Sequence, residues 1–220
     1  MTRARRAAVE AVGSALLLAS VVGSGIMATR LTDDVALQLL ANALATGAML
    51  LALIAGFAPL SGAHFNPAVS IAAAAQRDLP WRDVPLYLIA QVAGAFAGVA
   101  AAHAMFDRPL LSASLTARRG APQIFSELCA TFGLVSIIWT CTRRRPGALP
   151  FAVAAYVTAA YWFTASTAFA NPAVTLARAA TDSFAGIRPA DVPGFLAGQL
   201  AGAAAATLLC RWLVPRQEPA

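Results

Sequence analysis

Two copies of one tripeptide carry the most distinctive polar chemistry of this chain of 220 residues. The copies are Asn66-Pro67-Ala68 and Asn171-Pro172-Ala173. Asparagine is a favourable helix N-cap, and proline fits the first helical position. Each tripeptide therefore predicts the start of a helix whose amino end carries roughly half a positive charge. Asparagine amides beside two such ends can donate hydrogen bonds to an oxygen of a passing solute, whereas a cation is repelled.

Carboxylate and amide side chains recur in the same order in both halves of the chain. Glu10 precedes the first tripeptide and Gln91 follows it, while Glu127 and Gln199 take the same places around the second. The second copies follow the first by 117 residues for Glu, 105 for Asn and 108 for Gln. This order indicates one duplicated unit within a single membrane domain, 1–220. The sequence places repeat one at about 7–106 and repeat two at about 122–214.

The elements that position these residues must lie in a membrane. Hydrophobic residues make up 59% of the chain and charged residues 12%, whereas soluble domains have roughly 45–50% and about 25%. Six segments are long and apolar enough to cross a bilayer, which requires about 20 residues. They are Ala7–Thr29, Val35–Gly56, Val84–Phe106, Ile124–Cys141, Ala148–Ala168 and Val192–Val214.

Each repeat holds three spans, and because three is odd the second repeat must be inverted relative to the first. The tripeptides lie in two further apolar segments, Ser61–Ala75 and Phe169–Ala180, which are too short to cross. Non-helical backbone at membrane depth must be buried in protein or line a watery cavity. We therefore predict two re-entrant loops whose half-helices meet near the midplane. The predicted fold class is an all-α membrane protein with six transmembrane helices, two half-helices and an inverted 3+3 repeat.

The segment Ser61–Ser70, together with Asn171–Thr175, resembles the aquaporin and aquaglyceroporin family. The resemblance implies one pore in each subunit and a homotetramer. It also implies that Glu10 and Glu127 are buried props for the re-entrant loops. That role agrees with the need of an ionisable group in a span for buried partners. The alternative is that the two glutamates are proton-relay carboxylates of a transporter.

The resemblance also locates the selectivity filter, the narrowest part of the family's pore. Counting from the two asparagines gives Thr46, Ala159, Ala168 and Val174. Most members have arginine where this chain has Val174, so we expect a wide, comparatively apolar filter and a weaker barrier against cations. Arg178 lies one helical turn further on the same face. It either reaches back toward the filter or stays at the mouth.

Three other side chains are candidates for the wall or the mouth of the pore. A shift of one or two residues in register would turn Phe169 or Tyr161 inward. His64, two residues before the first asparagine, either lines the pore, where its charge can respond to pH, or packs within the loop.

A filter without arginine is similar to those of bacterial aquaglyceroporin-like channels associated with arsenic resistance. We therefore expect a passive channel for glycerol, for metalloid hydroxides such as arsenite or methylated arsenicals, and for water. The alternatives are a water-selective aquaporin, a coupled secondary transporter, and a structural or adhesive protein with a vestigial pore. No nucleophile–base pair or metal-ligand cluster stands at catalytic spacing, so we expect neither an enzyme nor a metal or cofactor site.

The basic residues predict the orientation in the membrane. All sixteen are arginines, and with six spans ten of them, including Arg216, fall on the side of the N-terminus. The positive-inside rule then places both termini in the cytoplasm. Nucleic-acid binding would need these residues clustered on one water-exposed face, so we exclude it. We expect a protein of the bacterial inner membrane whose partners are the lipid bilayer and small neutral solutes.

Overall fold

A computed structural model describes residues 1–214, which fold into eight α-helices and three short 3-10 turns, with no strand in that range. Arg216, counted above for orientation, lies outside the described residues. The helices are α1 (Arg3–Leu31), α2 (Val35–Ser61), α3 (Pro67–Ala75), α4 (Val84–Met105), α5 (Ala121–Arg144), α6 (Leu149–Phe163), α7 (Pro172–Arg178) and α8 (Val192–Leu213). The all-α prediction is confirmed.

Six of these helices are the predicted spans. In the described part of the chain, α1, α2, α4, α5 and α8 are long and apolar enough to cross a membrane. The sixth, α6, has 15 residues and is shorter than predicted, because it ends at Phe163 and not at Ala168. Thr164, which follows Phe163, is extended with φ −111° and ψ 137°, and the φ angles of Thr167 and Ala168 are positive at 60° and 47°. None of these conformations continues a right-handed helix. The predicted fifth span was therefore wrong at its carboxyl end.

The two repeats pack their outer helices in the same way. In the first repeat α1 lies against α4, and a Cβ atom added to Gly98 would collide with the carbonyl oxygen of Ala15. In the second repeat α5 lies against α8, and a Cβ atom on Gly202 would collide with the carbonyl oxygen of Leu128. Small residues at these positions let the backbones approach closely, as is typical of membrane helices.

The half-helices begin at the two tripeptides. Asn66 caps α3 by accepting a hydrogen bond from the backbone N–H of Ala68 at 2.9 Å. Asn171 caps α7 by accepting one from the N–H of Ala173 at 3.0 Å. A proline occupies the first position of both helices, which are nine and seven residues long. Both are too short to cross a bilayer, so they enter and end within the protein.

Contacts between helix ends define two faces of the molecule. Arg6, near the start of α1, donates a hydrogen bond of 2.8 Å to Asp83, which directly precedes α4. Arg30, near the end of α1, donates one of 2.7 Å to the carbonyl oxygen of Phe106, which directly follows α4. We call the face that holds residues 1–6 and Asp83 the proximal face, and the opposite face the distal face.

The segment of residues 106–120, here called the connecting loop, joins the two repeats across the distal face. The backbone N–H groups of Ser112 and Ser114 donate to the carbonyl oxygens of Ala180 and Ala179 at 2.9 and 3.0 Å. The connecting loop is therefore held against the carboxyl end of α7.

Candidate functional site

The two re-entrant loops are joined by a reciprocal pair of hydrogen bonds. Asn66 Nδ2 donates to the carbonyl oxygen of Ala170 at 2.8 Å, and Asn171 Nδ2 donates to that of Phe65 at 2.8 Å. Each acceptor is thus the residue directly before the other asparagine. The amino ends of α3 and α7 consequently meet inside the protein. Because an amide nitrogen carries two hydrogens, each asparagine keeps a second donor beyond this contact.

Glu10 holds the first re-entrant loop from within α1. Its carboxylate is fully buried and accepts from Ser61 Oγ at 2.6 Å and from the backbone N–H of His64 at 3.0 Å. It also accepts from the N–H of Phe65 at 2.7 Å and from Gln91 Nε2 at 2.8 Å. Two backbone donors of a non-helical segment are thereby paired away from water, which buried backbone groups require.

Glu127 has the same position in the second repeat. It is fully buried and accepts from the backbone N–H groups of Phe169 and Ala170 at 2.9 and 2.8 Å. Gln199 Nε2 donates to it at 2.5 Å. These carboxylates are occupied by donors of the loops beside them, which leaves them poorly placed to relay protons.

A cavity of about 370 Å³ passes both asparagines. Eight of the residues singled out in the sequence are in its wall: Thr46, His64, Asn66, Ala168, Phe169, Asn171, Val174 and Arg178. Tyr161, the alternative for the fifth span, is also in the wall. The other tripeptide residues are buried outside the wall of this cavity in the described chain: Pro67, Ala68, Pro172 and Ala173.

Counting from Asn171 predicts Ala159 in the filter, and here the cavity wall differs from the prediction. Ala159 is exposed on the outer side of α6 and is outside the cavity wall described for residues 1–214. Tyr161 takes its place, since its hydroxyl lies in the wall 3.1 Å from the hydroxyl of Thr46. Ala159 and Tyr161 lie in α6 two positions apart, which is about 200° around an α-helix, so only one of them can face the cavity. The cavity wall beside Thr46 therefore contains an aromatic ring and a second hydroxyl, which counting from the asparagines did not place there.

Arg178 reaches the cavity although Val174 replaces the usual arginine. Its side chain is 2% exposed, and its guanidinium carbon lies 3.4 Å from the centroid of the Phe169 ring. Its Nε donates to the carbonyl oxygen of Ala185. The positive charge is thus not lost from this part of the cavity but lies one helical turn further toward the distal face. Arg178 is therefore a buried residue of the cavity wall and not a solvated arginine at the mouth.

Arg118, from the connecting loop, is a neighbour of this group that the sequence did not indicate. Its guanidinium carbon lies 5.0 Å from the centroid of the same Phe169 ring. Its Nε donates to the carbonyl oxygen of Gly186 at 2.8 Å. The connecting loop has no hydrophobic period or motif that would mark one arginine among several, so only the three-dimensional structure could reveal this contact.

His64 is also in the wall, on the proximal side of the asparagines. Its Nδ1 lies 3.0 Å from Ser70 Oγ, and its ring centroid lies 5.5 Å from that of Tyr87. The residue therefore both borders the cavity and packs within the loop.

Among residues 1–214, no group of three His, Cys, Asp or Glu side chains is placed to hold a metal ion. The site consists instead of hydrogen-bond donors, hydroxyl groups and apolar side chains along a narrow cavity. Such a wall can orient a solute by hydrogen bonds and exclude charge by helix ends and guanidinium groups.

Comparisons with known proteins agree with this arrangement. The Major intrinsic protein family profile matches residues 1–150. Aquaglyceroporin AqpS of Rhizobium meliloti (strain 1021) is 55% identical over 215 residues, which are 98% of this chain and 92% of that protein. Aquaporin NIP6-1 of Arabidopsis thaliana is 32% identical over 136 residues, which are 61% of this chain and 44% of that protein.

The fold has a solved counterpart in the X-ray structure of the aquaglyceroporin from Plasmodium falciparum. The two chains superpose with a TM-score of 0.71 at 21% identity, covering 96% of this chain and 95% of the other. From the family profile and the relative at 55% identity, this chain belongs to the major intrinsic protein family.

Proposed function

We propose that this chain is a passive channel for small uncharged solutes, with glycerol, arsenite and methylated arsenicals as its main substrates. Proteins of the family are membrane channels and not enzymes, and the relative from Rhizobium meliloti is named an aquaglyceroporin. The observation that carries the choice of solute is the composition of the cavity wall around Val174.

That wall offers both apolar and hydrogen-bonding groups. Val174 and Ala168 contribute methyl groups, while Thr46 and Tyr161 contribute a pair of hydroxyls. Arg178 adds donors further toward the distal face. A polyol or a neutral metalloid hydroxide has several hydroxyl groups on a compact centre, so it can contact both kinds of surface at once. A small valine in place of arginine leaves room for such a solute. We assign these five residues to the selectivity filter.

The asparagines supply the second place where a solute can be held. Each uses one amide hydrogen for the bond between the loops and keeps the other for an oxygen of the solute. The amino ends of both half-helices point toward the same region, and their partial positive charges oppose a cation. A neutral hydroxylated molecule meets donors here without this penalty.

Swelling of lipid vesicles that contain the purified protein tests the proposal. We expect gradients of glycerol and of arsenous acid to relax faster than in empty vesicles, with a rate linear in the gradient. If neither solute enters faster than in empty vesicles, the proposal is wrong. Acceleration of water alone would identify a water-selective aquaporin. A rate of solute uptake that follows an imposed pH or Na⁺ gradient would identify a coupled transporter. If no solute, including water, enters faster than in empty vesicles, the pore is vestigial.

The proposal includes a homotetramer in the bacterial inner membrane, with both termini in the cytoplasm. The triplet Arg143–Arg145 at the proximal end of α5 supports this orientation through the positive-inside rule. The bacterial relative supports the choice of membrane.

The mass of the detergent-solubilised complex tests whether the protein is a tetramer. Labelling of a cysteine introduced at exposed Asp33, on the distal face, tests the orientation, because we expect that site to react from outside the cell.

A further inference from the structure

Two guanidinium groups, the buried one of Arg178 and the half-buried one of Arg118, share one aromatic ring at the distal end of the cavity. Arg178 lies 3.4 Å and Arg118 lies 5.0 Å from the centroid of the Phe169 ring. The ion pairs found within residues 1–214 involve neither of them and consist of Arg3 and Arg6 with Asp83, and Arg188 with Asp191. Cation–π contact offsets part of the loss of hydration, but it does not neutralise the two charges.

Most donors of Arg118 are already used. Its Nε donates to the carbonyl oxygen of Gly186 at 2.8 Å and its Nη2 to that of Phe184 at 3.5 Å. Its Nη1 donates to the carbonyl oxygen of Ser166 at 3.3 Å and to Thr167 Oγ1 at 3.4 Å. Four of its five N–H donors therefore have partners, and the side chain acts on the cavity mainly through its charge.

Arg178 is different, because only its Nε is bonded, to the carbonyl oxygen of Ala185. The two terminal nitrogens have no hydrogen-bond partner among residues 1–214, and the residue is part of the cavity wall. A guanidinium fork with both terminal nitrogens available matches a planar or tetrahedral oxyanion in a bidentate manner.

Within residues 1–214, neither guanidinium is in contact with a carboxylate. Glu127 is within electrostatic range of both Arg118 and Arg178. Its carboxylate is held by the backbone of Phe169 and Ala170 and by Gln199, and it contacts neither guanidinium. Asp191 accepts from the backbone N–H of Arg118 at 2.8 Å, but its ion pair is with Arg188. An uncompensated charge in a low-dielectric site costs several kcal/mol by order of magnitude, and a single bound monovalent anion would remove it.

We propose that the distal end of the cavity binds a small monovalent oxyanion on the terminal nitrogens of Arg178, with Arg118 adding a second charge through Phe169. The anion occupies the path of the solute, so its binding slows the entry of uncharged molecules. Recognition depends on charge and on the bidentate fork, and therefore favours small oxyanions over bulky ones.

The test measures glycerol uptake into vesicles that contain the purified full chain. Potassium nitrate is the probe, because nitrate is a planar oxyanion that stays ionised near neutral pH. Potassium gluconate at equal osmolarity supplies a bulky anion for comparison. At about 100 mM nitrate we expect uptake to fall about twofold or more relative to gluconate, because a site of millimolar affinity would then be mostly occupied.

Arg178→Gln should abolish this inhibition. Arg30→Gln is the matched control, since Arg30 also stacks on a phenylalanine near the distal face, with its guanidinium 5.0 Å from the Phe106 ring, but is exposed and outside the cavity wall. We expect this variant to keep the full effect of nitrate. Equal inhibition in all three proteins, or none in the unaltered protein, would overturn the proposal.

A second variant and a second measurement cover two possible failures. If Arg178→Gln does not insert into the membrane, Arg178→Lys is the second variant, because it keeps the charge without the guanidinium fork. This variant should need a several-fold higher nitrate concentration for the same inhibition. An unchanged nitrate concentration for half-inhibition would contradict the proposed anion site. If glycerol does not permeate, the proposed substrate is wrong, but the anion site is still tested by the Tm of the purified protein. Nitrate should raise that Tm more than gluconate does, and an equal Tm in both salts contradicts binding.

Discussion

The hydroxyl groups of Thr46 and Tyr161 lie 3.1 Å apart and join α2 of the first repeat to α6 of the second across the wall of the cavity. Thr46 also donates to the carbonyl oxygen of Asn42 at 2.8 Å. Its hydroxyl is thus fixed from its own helix, and the orientation of the tyrosine follows from it. The pair presents polar oxygens to a solute at the level where Val174 and Ala168 offer only methyl groups.

Removal of the tyrosine hydroxyl should reduce solute uptake. In Tyr161→Phe the ring remains but one hydrogen-bonding group of the filter is lost, which corresponds to about 1 kcal/mol or about fivefold in rate. Stopped-flow glycerol uptake measures the change. Ala159→Val is the control on the same helix, because Ala159 is exposed and outside the wall. Slower uptake in that control would show that the filter position is Ala159 after all.

Restoring an arginine at position 174 should narrow the range of substrates. Val174 is in the cavity wall and 6% exposed, so Val174→Arg places a long side chain in the passage. We expect uptake of glycerol and larger polyols to fall tenfold or more, by order of magnitude, while water permeation falls less. Val174→Ala, which only enlarges the passage, should keep the uptake of large solutes. Unchanged uptake of bulky solutes by Val174→Arg would contradict the assigned register.

Loss of the charge of Arg178 should admit cations. A unit charge in the wall, about 4 Å from the path, acts on a cation with about 4 kcal/mol at an effective dielectric constant of about 20, which corresponds to about a 1000-fold change. Arg178→Gln should therefore raise the Na⁺ or proton leak of vesicles, measured with a potential-sensitive or pH-sensitive dye. The control variant Arg30→Gln, which removes an exposed arginine, should leave the leak unchanged. If Arg178→Gln does not increase the cation leak, the partial charges at the amino ends of the half-helices suffice to exclude cations.

A methyl group added at Gly98 should disturb the packing of α1 against α4. Its Cβ would collide with the carbonyl oxygen of Ala15, and overpacking of this kind costs about 1–3 kcal/mol. We expect Gly98→Ala to lower the Tm of the purified protein by several degrees, as a rough estimate. The control is Gly56→Ala in α2, where a Cβ would meet no atom within 4 Å and should be tolerated. Equal Tm values for the two variants would contradict the close contact.

The sequence predicted well those features that depend on residues close together in the chain. Hydropathy located the six spans, and the pairing of asparagine with proline located the starts of α3 and α7 within one residue. The filter was harder to predict, because the residue of α6 that faces the cavity depends on how this helix is rotated against its neighbours. The helix also ends earlier than predicted, where the extended Thr164 follows Phe163. Nothing in the local sequence signals either feature. Contacts across the fold, such as that of Arg118 with Phe169, depend on distant segments and could not be predicted from spacing.

The crossed bonds of Asn66 and Asn171 have a consequence for biosynthesis. The acceptor of the Asn66 amide, Ala170, lies 104 positions later in the chain. While the ribosome is still making the second half, the amide of Asn66 and the carbonyl group of Phe65 therefore lack their hydrogen-bond partners. Insertion must therefore tolerate a hydrated or translocon-shielded intermediate until Asn171 arrives. A truncated chain that stops before that residue should be recognised as unfinished and degraded.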